Sequence, residues 1–174
     1  MKWIMALLLL VIPAQTSKPR PASTIIAEAL NAATMQGKTV FIHFGASWCT
    51  WCKHLDEMLN SPEVGSIFKE HYILVNLTVQ ESDDKKALEN PGAQEFVDQS
   101  GGVKAGVPYY VFLDGDGKQI ATSAAMPAGV NIGYPATPDE IRTFGELLGK
   151  TAPRMTTAQR VSVVDYLTKH APKN

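Results

Sequence analysis

Continuous apolar runs and one turn signal predict the strands of this chain. Residues 40–44 form an apolar run interrupted only by His43, which is typical of a central strand covered on both faces. Residues 73–77, apolar except for Asn76, are predicted to be the next strand. Residues 109–113 form a third run, followed by the turn signal Asp-Gly-Asp-Gly at 114–117. We expect the segment after this turn, 119–122, to pair antiparallel with the third strand.

Helical spacing of apolar residues and capping signals predict the helices. The segments 80–91 and 124–136 lack both patterns and are predicted to be a polar loop or frayed helix and an irregular segment. Of the six predicted helices, the first is capped by Ser23 or Thr24 and ends at Gly37, the second runs from near Cys49 to about Asn60, and the third begins at Ser61 and Pro62. The fourth covers about 93–99, and the fifth begins with a capping box at Thr137. The sixth is capped by Thr156 or Thr157 and directs Val161, Val164 and Leu167 inward.

Alternating strands and helices predict an α/β domain with a mixed sheet. The 174 residues are 45% hydrophobic and 19% charged, a composition that excludes disorder and a polytopic membrane protein. Lys and Arg number 16 against 17 for Asp and Glu, which gives a net charge of -1. This balance predicts no nucleic-acid partner.

The N-terminus has the layout of a signal peptide. Lys2 precedes an unbroken apolar stretch at 3–12, and Pro13 and Ala14 follow it. Because spanning a bilayer takes roughly 20 residues, we expect an export signal at 1–14, cleaved after Ala14 or at the latest near residue 20. A retained anchor or a buried helix is the alternative. Export predicts a periplasmic or secreted protein, with one domain over 22–174 and no stable membrane insertion after cleavage.

The only two cysteines, Cys49 and Cys52, stand where a buried strand turns into a helix. As a structural bridge the pair would be weak, because closing so small a loop contributes only about 2 kcal/mol. A helix N-terminus stabilises a thiolate, which makes Cys49 a nucleophile. Cys52, one turn further along, is placed to attack a mixed disulfide formed by Cys49. The spacing therefore favours dithiol–disulfide exchange, with a structural bridge or a metal site as alternatives.

Other chemistries fit the cysteine pair less well. Haem attachment requires His directly after the second cysteine, but Lys53 stands there and His54 comes one position later. Zinc requires four ligands, and there is no second cysteine pair to complete the set. We therefore predict no metal and no bound cofactor.

Two motifs resemble the thioredoxin superfamily. Its active-site segment is similar to FIHFGASWCTWCK, residues 41–53, and its cis-proline loop is similar to Gly106-Val107-Pro108. The order of elements from about 23 to 149 also matches. The resemblance implies a thioredoxin-like fold, a central mixed β-sheet flanked by helices, here with one extra C-terminal helix. Among subgroups the chain resembles exported bacterial thioredoxin-like proteins with a C-terminal extension.

The resemblance also implies roles for these residues. Cys49 would be the attacking thiol and Cys52 the resolving one. Pro108 would lie in cis against the disulfide, although statistics alone favour a trans bond. The backbone of Val107 would pair with an extended substrate.

Four further residues receive a functional and a structural interpretation. Trp48 and Trp51 would flank the sulfur as an apolar docking surface, or pack against the sheet edge. Lys53 would lower the pKa of the thiols, or be an exposed helix lysine. His43 stands where thioredoxin has a buried acid that resembles a proton acceptor for the resolving thiol, and its imidazole could take that role; the alternative is a core histidine.

These predictions combine into an exported thiol–disulfide oxidoreductase that exchanges its dithiol or disulfide with client proteins through a mixed disulfide. Its partners would be those clients and an upstream thiol–disulfide electron donor or acceptor. Since Gly45 and Thr50-Trp51 depart from thioredoxin's residues, the direction of exchange stays open. The alternatives are a peptide-binding or chaperone module with incidental cysteines and a thiol protein for copper delivery or cytochrome maturation.

Overall fold

The computed structural model describes residues 18–172 of the chain. The predicted signal peptide lies outside these residues and stays a prediction. Within the described part of the chain, no helix is long and apolar enough to cross a membrane.

A four-stranded mixed sheet forms the centre of the fold. The strands are β1 (Thr39–Gly45), β2 (Tyr72–Thr78), β3 (Tyr109–Leu113) and β4 (Gln119–Thr122), in the order β2-β1-β3-β4. β1 runs parallel to β2, whereas β3 is antiparallel to both β1 and β4. The predicted α/β class and the hairpin after residue 113 are confirmed, and β1 and β2 each extend one residue beyond the predicted runs at both ends.

Within residues 18–172, six α-helices flank the sheet. Residues 18–172 also contain three shorter helical segments: 3-10 segments at Asp83–Leu88 and Pro127–Gly129, and a π-helical segment at Asp98–Gly102 that continues the helix predicted over 93–99. The α-helices are α1 (Ala22–Gln36), α2 (Thr50–Asn60), α3 (Gly65–His71), α4 (Ala93–Val97), α5 (Pro138–Thr151) and α6 (Thr157–His170).

The two faces of the sheet carry separate hydrophobic cores. Side chains alternate along β1, so Val40, Ile42 and Phe44 pack with α1 and α4 on one face. Phe41 packs with α2, α3, α5 and α6 on the other. His43 shares the face of Phe41 by the same alternation, and this places it beneath α2, the helix that follows the first cysteine.

The start of α1 differs from the prediction. The helix begins at Ala22 with Pro21 at the cap position, and neither Ser23 nor Thr24 caps it. The Ala22 N–H instead donates to the carbonyl oxygen of Pro91 at 2.9 Å. This distant carbonyl satisfies an N–H group that a capping side chain would otherwise serve.

The prediction that Pro62 opens the third helix is wrong, because α3 begins three residues later. The hydroxyl of Ser61 accepts from the N–H of Val64 at 3.1 Å, and its carbonyl accepts from the N–H of Gly65 at 2.9 Å. Ser61 therefore closes a turn that precedes the helix.

The predicted inner face of α6 is also partly wrong. Val163 and Leu167 are fully buried, whereas Val161 is 50% exposed and Val164 is half-buried. Valines at three nearby positions allow more than one apolar stripe, and packing against α5 in the shared hydrophobic core selects the one through Val163. The extra C-terminal helix itself is confirmed.

Candidate active site

A disulfide joins Cys49 and Cys52 at the N-terminus of α2, with the two Cα atoms 5.3 Å apart. Cys49 is the N-cap residue, and its Sγ accepts a hydrogen bond from the N–H of Cys52 at 3.0 Å. The sulfur thus lies at the positive end of the helix dipole, where a thiolate is stabilised when the pair is reduced. Both residues are buried, with exposed fractions of 2% and 3%.

The cis-proline loop lies against this disulfide. The Val107–Pro108 peptide bond is cis, as the thioredoxin resemblance implied. The carbonyl oxygen of Val107 lies 3.6 Å from Cys49 Sγ, and its side chain packs on a small cluster formed by Ala46 and the two cysteines. The structure therefore brings Val107 and Pro108 to the sulfur that the sequence assigns as the nucleophile. Pairing with a substrate stays a prediction.

His43 is buried beneath α2, with an exposed fraction of 2%. Its Nδ1 lies 3.1 Å from Oδ1 of Asp56, a half-exposed carboxylate on α2. Because an ionised carboxylate only accepts hydrogen bonds, this contact requires a proton on Nδ1 and leaves Nε2 of the neutral ring as an acceptor. Nε2 has no hydrogen-bond partner within 18–172.

Gly45 keeps a space open between this imidazole and the second cysteine. A Cβ on residue 45 would lie 3.1 Å from Nε2 of His43 and 3.2 Å from Sγ of Cys52. Both atoms therefore border the small volume that the missing side chain leaves. This geometry fits proton transfer between the thiol of Cys52 and His43, although the role of His43 stays a prediction.

The two tryptophans beside the cysteines are strongly exposed. Trp48 is 54% exposed, and its indole N–H donates to the carbonyl of Gln80 at 2.8 Å. Trp51 is 43% exposed and stacks on Tyr134, with ring centroids 6.1 Å apart and planes at 26°. Burial raises the pKa of Tyr134 to about 12, so this ring remains a neutral phenol. These exposed indoles suit the predicted docking surface, which stays a prediction.

Lys53 is an exposed residue of α2 at the edge of a cavity of about 340 Å³. The same cavity is bordered by His43, Cys52 and Asp56. Lys53 forms no ion pair with any residue in the described part of the chain. Its position is compatible with an effect on the thiols, which stays a prediction.

Glu81 is a structural residue of the site that sequence reasoning missed. Its carboxylate is only 4% exposed and accepts from both the backbone N–H of Ser47 at 2.6 Å and the hydroxyl of Ser47 at 2.8 Å. The polar composition of 80–91 predicted a solvated loop. The missed signal is the parallel pairing of β1 and β2, which brings the residues that follow Gly45 and Thr78 to the same edge of the sheet.

Gln80 contacts both the loop that contains Trp48 and the loop that leads to Pro108. Its backbone has a positive φ of 54°. Its carbonyl accepts the hydrogen bond from the indole N–H of Trp48, and its side-chain amide donates to the carbonyl of Ala105 at 3.1 Å. Ala105 precedes the cis-proline loop. Residues 80 and 81 thus connect the loop before the disulfide with the loop that faces it.

A Glu81→Ala variant is expected to lower the free energy of unfolding by about 1–3 kcal/mol, because it leaves the N–H of Ser47 without its acceptor. Glu81→Gln should lower the free energy of unfolding by less, since an amide can accept from that N–H and donate to the hydroxyl of Ser47. Urea denaturation of the oxidised proteins measures both. The matched control is Glu146→Ala, which removes an exposed carboxylate of α5 and should change stability by less than about 0.5 kcal/mol. Equal losses from Glu81→Ala and the control would contradict the assignment.

A disulfide at the N-terminus of a helix, facing a cis-proline loop beside a mixed sheet, defines the class of a thioredoxin-fold thiol protein. A family model described as thioredoxin-like matches residues 22–115, more than half of the chain. The chain therefore belongs to the thioredoxin-like family.

The chain is also similar to two individual proteins. The chain is 33% identical over 126 residues to the disulfide bond reductase DsbH of Chlamydia pneumoniae, a match that covers 66% of this chain and 72% of that protein. The crystal structure of a disulphide isomerase from Xylella fastidiosa Temecula1 is similar with a TM-score of 0.50 and 24% identity, over 94% of this chain and 98% of that one. The second match supports the fold. Family membership and the Cys49–Cys52 disulfide together support the predicted enzyme class, a thiol–disulfide oxidoreductase.

Proposed function

We propose that the protein is an exported thiol–disulfide oxidoreductase that reduces disulfides of client proteins through a mixed disulfide with Cys49. The observation that carries the proposal is the placement of Cys49 Sγ: it receives the N–H of Cys52 at the start of α2 and lies 3.6 Å from the carbonyl of Val107. The N–H of Cys52 stabilises the thiolate form of this sulfur. The carbonyl of Val107 belongs to the loop whose backbone would bind the client.

The reaction takes two displacement steps. In the first, the Cys49 thiolate attacks one sulfur of the client disulfide, the client's S–S bond breaks, and the other client sulfur leaves as a thiolate. In the second, the sulfur of Cys52 attacks Cys49, a proton passes from Cys52 to Nε2 of His43, and the second client thiolate is released. The enzyme is left with the Cys49–Cys52 disulfide seen in the structure.

The reductive direction is supported by the relative in C. pneumoniae, which is named a disulfide bond reductase. Each turnover leaves the enzyme oxidised, so an upstream dithiol protein must reduce Cys49–Cys52 again. No bound cofactor takes part in these steps. The apolar N-terminal segment supports export, to a periplasm in the first place and to the exterior as the alternative.

The test is to trap clients with the Cys52→Ser variant, expressed with its own N-terminal sequence in a Gram-negative host. Without the resolving thiol, mixed disulfides at Cys49 should accumulate in the periplasmic fraction and be released by dithiothreitol. The double variant Cys49→Ser/Cys52→Ser is the control and should trap nothing. Absence of adducts, together with failure of the wild type to reduce insulin, would rule the proposal out.

The direction has its own measurement, the equilibrium potential of the Cys49–Cys52 pair against glutathione. A reductase should lie nearer the roughly -270 mV of thioredoxin than the roughly -120 mV of a strong oxidant. A value at the oxidising end would reverse the proposed direction.

A further inference from the structure

Two side-chain amides, those of Gln80 and Asn131, hold residues 105–108 beside the disulfide. Gln80 follows β2 and Asn131 follows β4, the two outer strands of the sheet. The amide of Gln80 donates to the carbonyl of Ala105 at 3.1 Å. Its backbone φ of 54° is one that a residue with a side chain rarely adopts, and a glycine would meet this demand with less strain. What glutamine adds at this position is the amide.

Asn131 holds the same segment from the other side. Its Oδ1 accepts from the N–H of Gly133 at 3.1 Å, so the amino group of the amide faces residues 105–108. That group donates to the carbonyls of Gly106 at 2.8 Å and Pro108 at 3.0 Å. Together the two amides occupy three of the four carbonyls of residues 105–108.

The fourth carbonyl, that of Val107, faces the reactive sulfur. Its oxygen lies 3.6 Å from Sγ of Cys49. A neutral thiol can donate to this oxygen, whereas a thiolate has no proton to donate and is repelled by it. The N–H of Cys52, 3.0 Å from the same sulfur, has the opposite effect and favours the thiolate. The balance between thiol and thiolate therefore depends on where the Val107 carbonyl is held.

We propose that Gln80 and Asn131 are positioning residues, which hold the carbonyl of Val107 against Cys49 and so limit the stability of its thiolate. The inference rests on the proposed function and adds a structural reason for the reductive direction. A thiolate that is stabilised less is a stronger nucleophile, and its reduced form transfers electrons more readily to a client disulfide. Once the amides are removed, repulsion by the thiolate turns the carbonyl away.

The first experiment titrates the thiol of Cys49 in a Cys52→Ser background, where no other cysteine contributes. Gln80→Met and Asn131→Leu each remove the amide donor and keep a side chain of similar size. In each variant the ratio of thiolate to thiol at a given pH should rise about fivefold, the equivalent of one typical hydrogen bond. The ultraviolet absorbance of the thiolate measures this ratio. The matched control is Gln94→Met, which removes a half-buried amide of α4 that donates to Asp98 at 3.0 Å, and it should change nothing.

The second experiment measures the equilibrium with glutathione in chains that keep both cysteines. Two glutathione thiols reduce the Cys49–Cys52 disulfide, and one glutathione disulfide forms. At a pH where Cys49 is ionised in every variant, the equilibrium constant for this reduction should rise about fivefold in Gln80→Met and in Asn131→Leu. A purely structural role would destabilise the oxidised and reduced forms alike and leave the constant unchanged. The titratable groups that border the same cavity as Cys52 are identical in all these chains: His43, Lys53, Asp56 and Glu81.

Each outcome decides the assignment. Gln80 or Asn131 loses the positioning role if its variant keeps the wild-type ratio of thiolate to thiol, shifts it the opposite way, or matches the Gln94→Met control. The oxidoreductase stands in all three cases. If the wild type neither equilibrates with glutathione nor reduces insulin, the proposed function fails, whereas the titration in the Cys52→Ser background still decides whether the two amides act on Cys49.

Discussion

A Cys49→Ser variant is expected to lose thiol–disulfide exchange by about 10³-fold or more, because a hydroxyl cannot form the mixed disulfide. The loss should be chemical and not structural: serine is a favourable N-cap, and its oxygen can still accept the N–H that Cys52 donates. Cys52 is not expected to substitute, because its sulfur borders the space at Gly45 next to His43, whereas the carbonyl of Val107 in the cis-proline loop contacts the sulfur of Cys49. Reduction of a peptide disulfide, followed by mass spectrometry, measures the effect.

Comparison with Cys52→Ser separates the two roles. That variant should perform the first displacement at a nearly unchanged rate and stop at the mixed disulfide. If Cys49→Ser is active and Cys52→Ser is inactive, Cys52 is the attacking thiol and Cys49 the resolving one. If both variants keep full biological activity, the cysteines are incidental, and the binding-module hypothesis from the sequence replaces the oxidoreductase.

The fold was predictable where local pattern and packing agree. The continuous apolar run in β1 requires cover on both faces, and the structure provides a separate core on each. The run 109–113 matches β3 residue for residue because the hairpin turn after it fixes its end. Thr137 caps α5 through the predicted capping box with Glu140, a signal contained within four residues.

Predictions failed where a distant contact replaces a local one. The cap of α1 is the carbonyl of Pro91, about 70 residues away along the chain, and no pattern near Ser23 reveals it. The burial of Glu81 depends on Ser47, which lies on the loop after another strand. The composition of residues 80–91 describes this segment as polar and solvated, and only the tertiary contact with Ser47 buries Glu81.

The residues of the candidate site were also predictable only where the signal is local. Cys49 and Cys52 are neighbours on one helix, so their spacing alone predicts that they meet. The cis bond before Pro108 required the family resemblance, because statistics favour trans. Asn131, whose side-chain amide donates to the carbonyls of Gly106 and Pro108, and Tyr134, which stacks on Trp51, belong to a segment with no periodicity, and the sequence therefore assigned them no part in the site.

His43→Leu is expected to slow the second displacement by about 100-fold and to leave the first unchanged. Nε2, which has no hydrogen-bond partner in residues 18–172, borders the same small volume at Gly45 as the sulfur of Cys52, and loss of a general base typically costs about 10²–10⁴-fold. Leucine fills a similar volume and removes a buried nitrogen without a partner in the described chain, so stability should not fall. Acid quenching of the reduced enzyme with a peptide disulfide should show accumulation of the mixed disulfide.

Two companion variants distinguish a proton acceptor from a packing residue. His43→Asp places a carboxylate at the position where thioredoxin has a buried acid, and it should restore much of the second-step rate that leucine loses. Asp56→Asn removes the carboxylate that fixes the proton on Nδ1, and it should slow the second step by a smaller factor. If His43→Leu resolves the mixed disulfide as fast as wild type, His43 is a core histidine, and the proton of Cys52 leaves by another route.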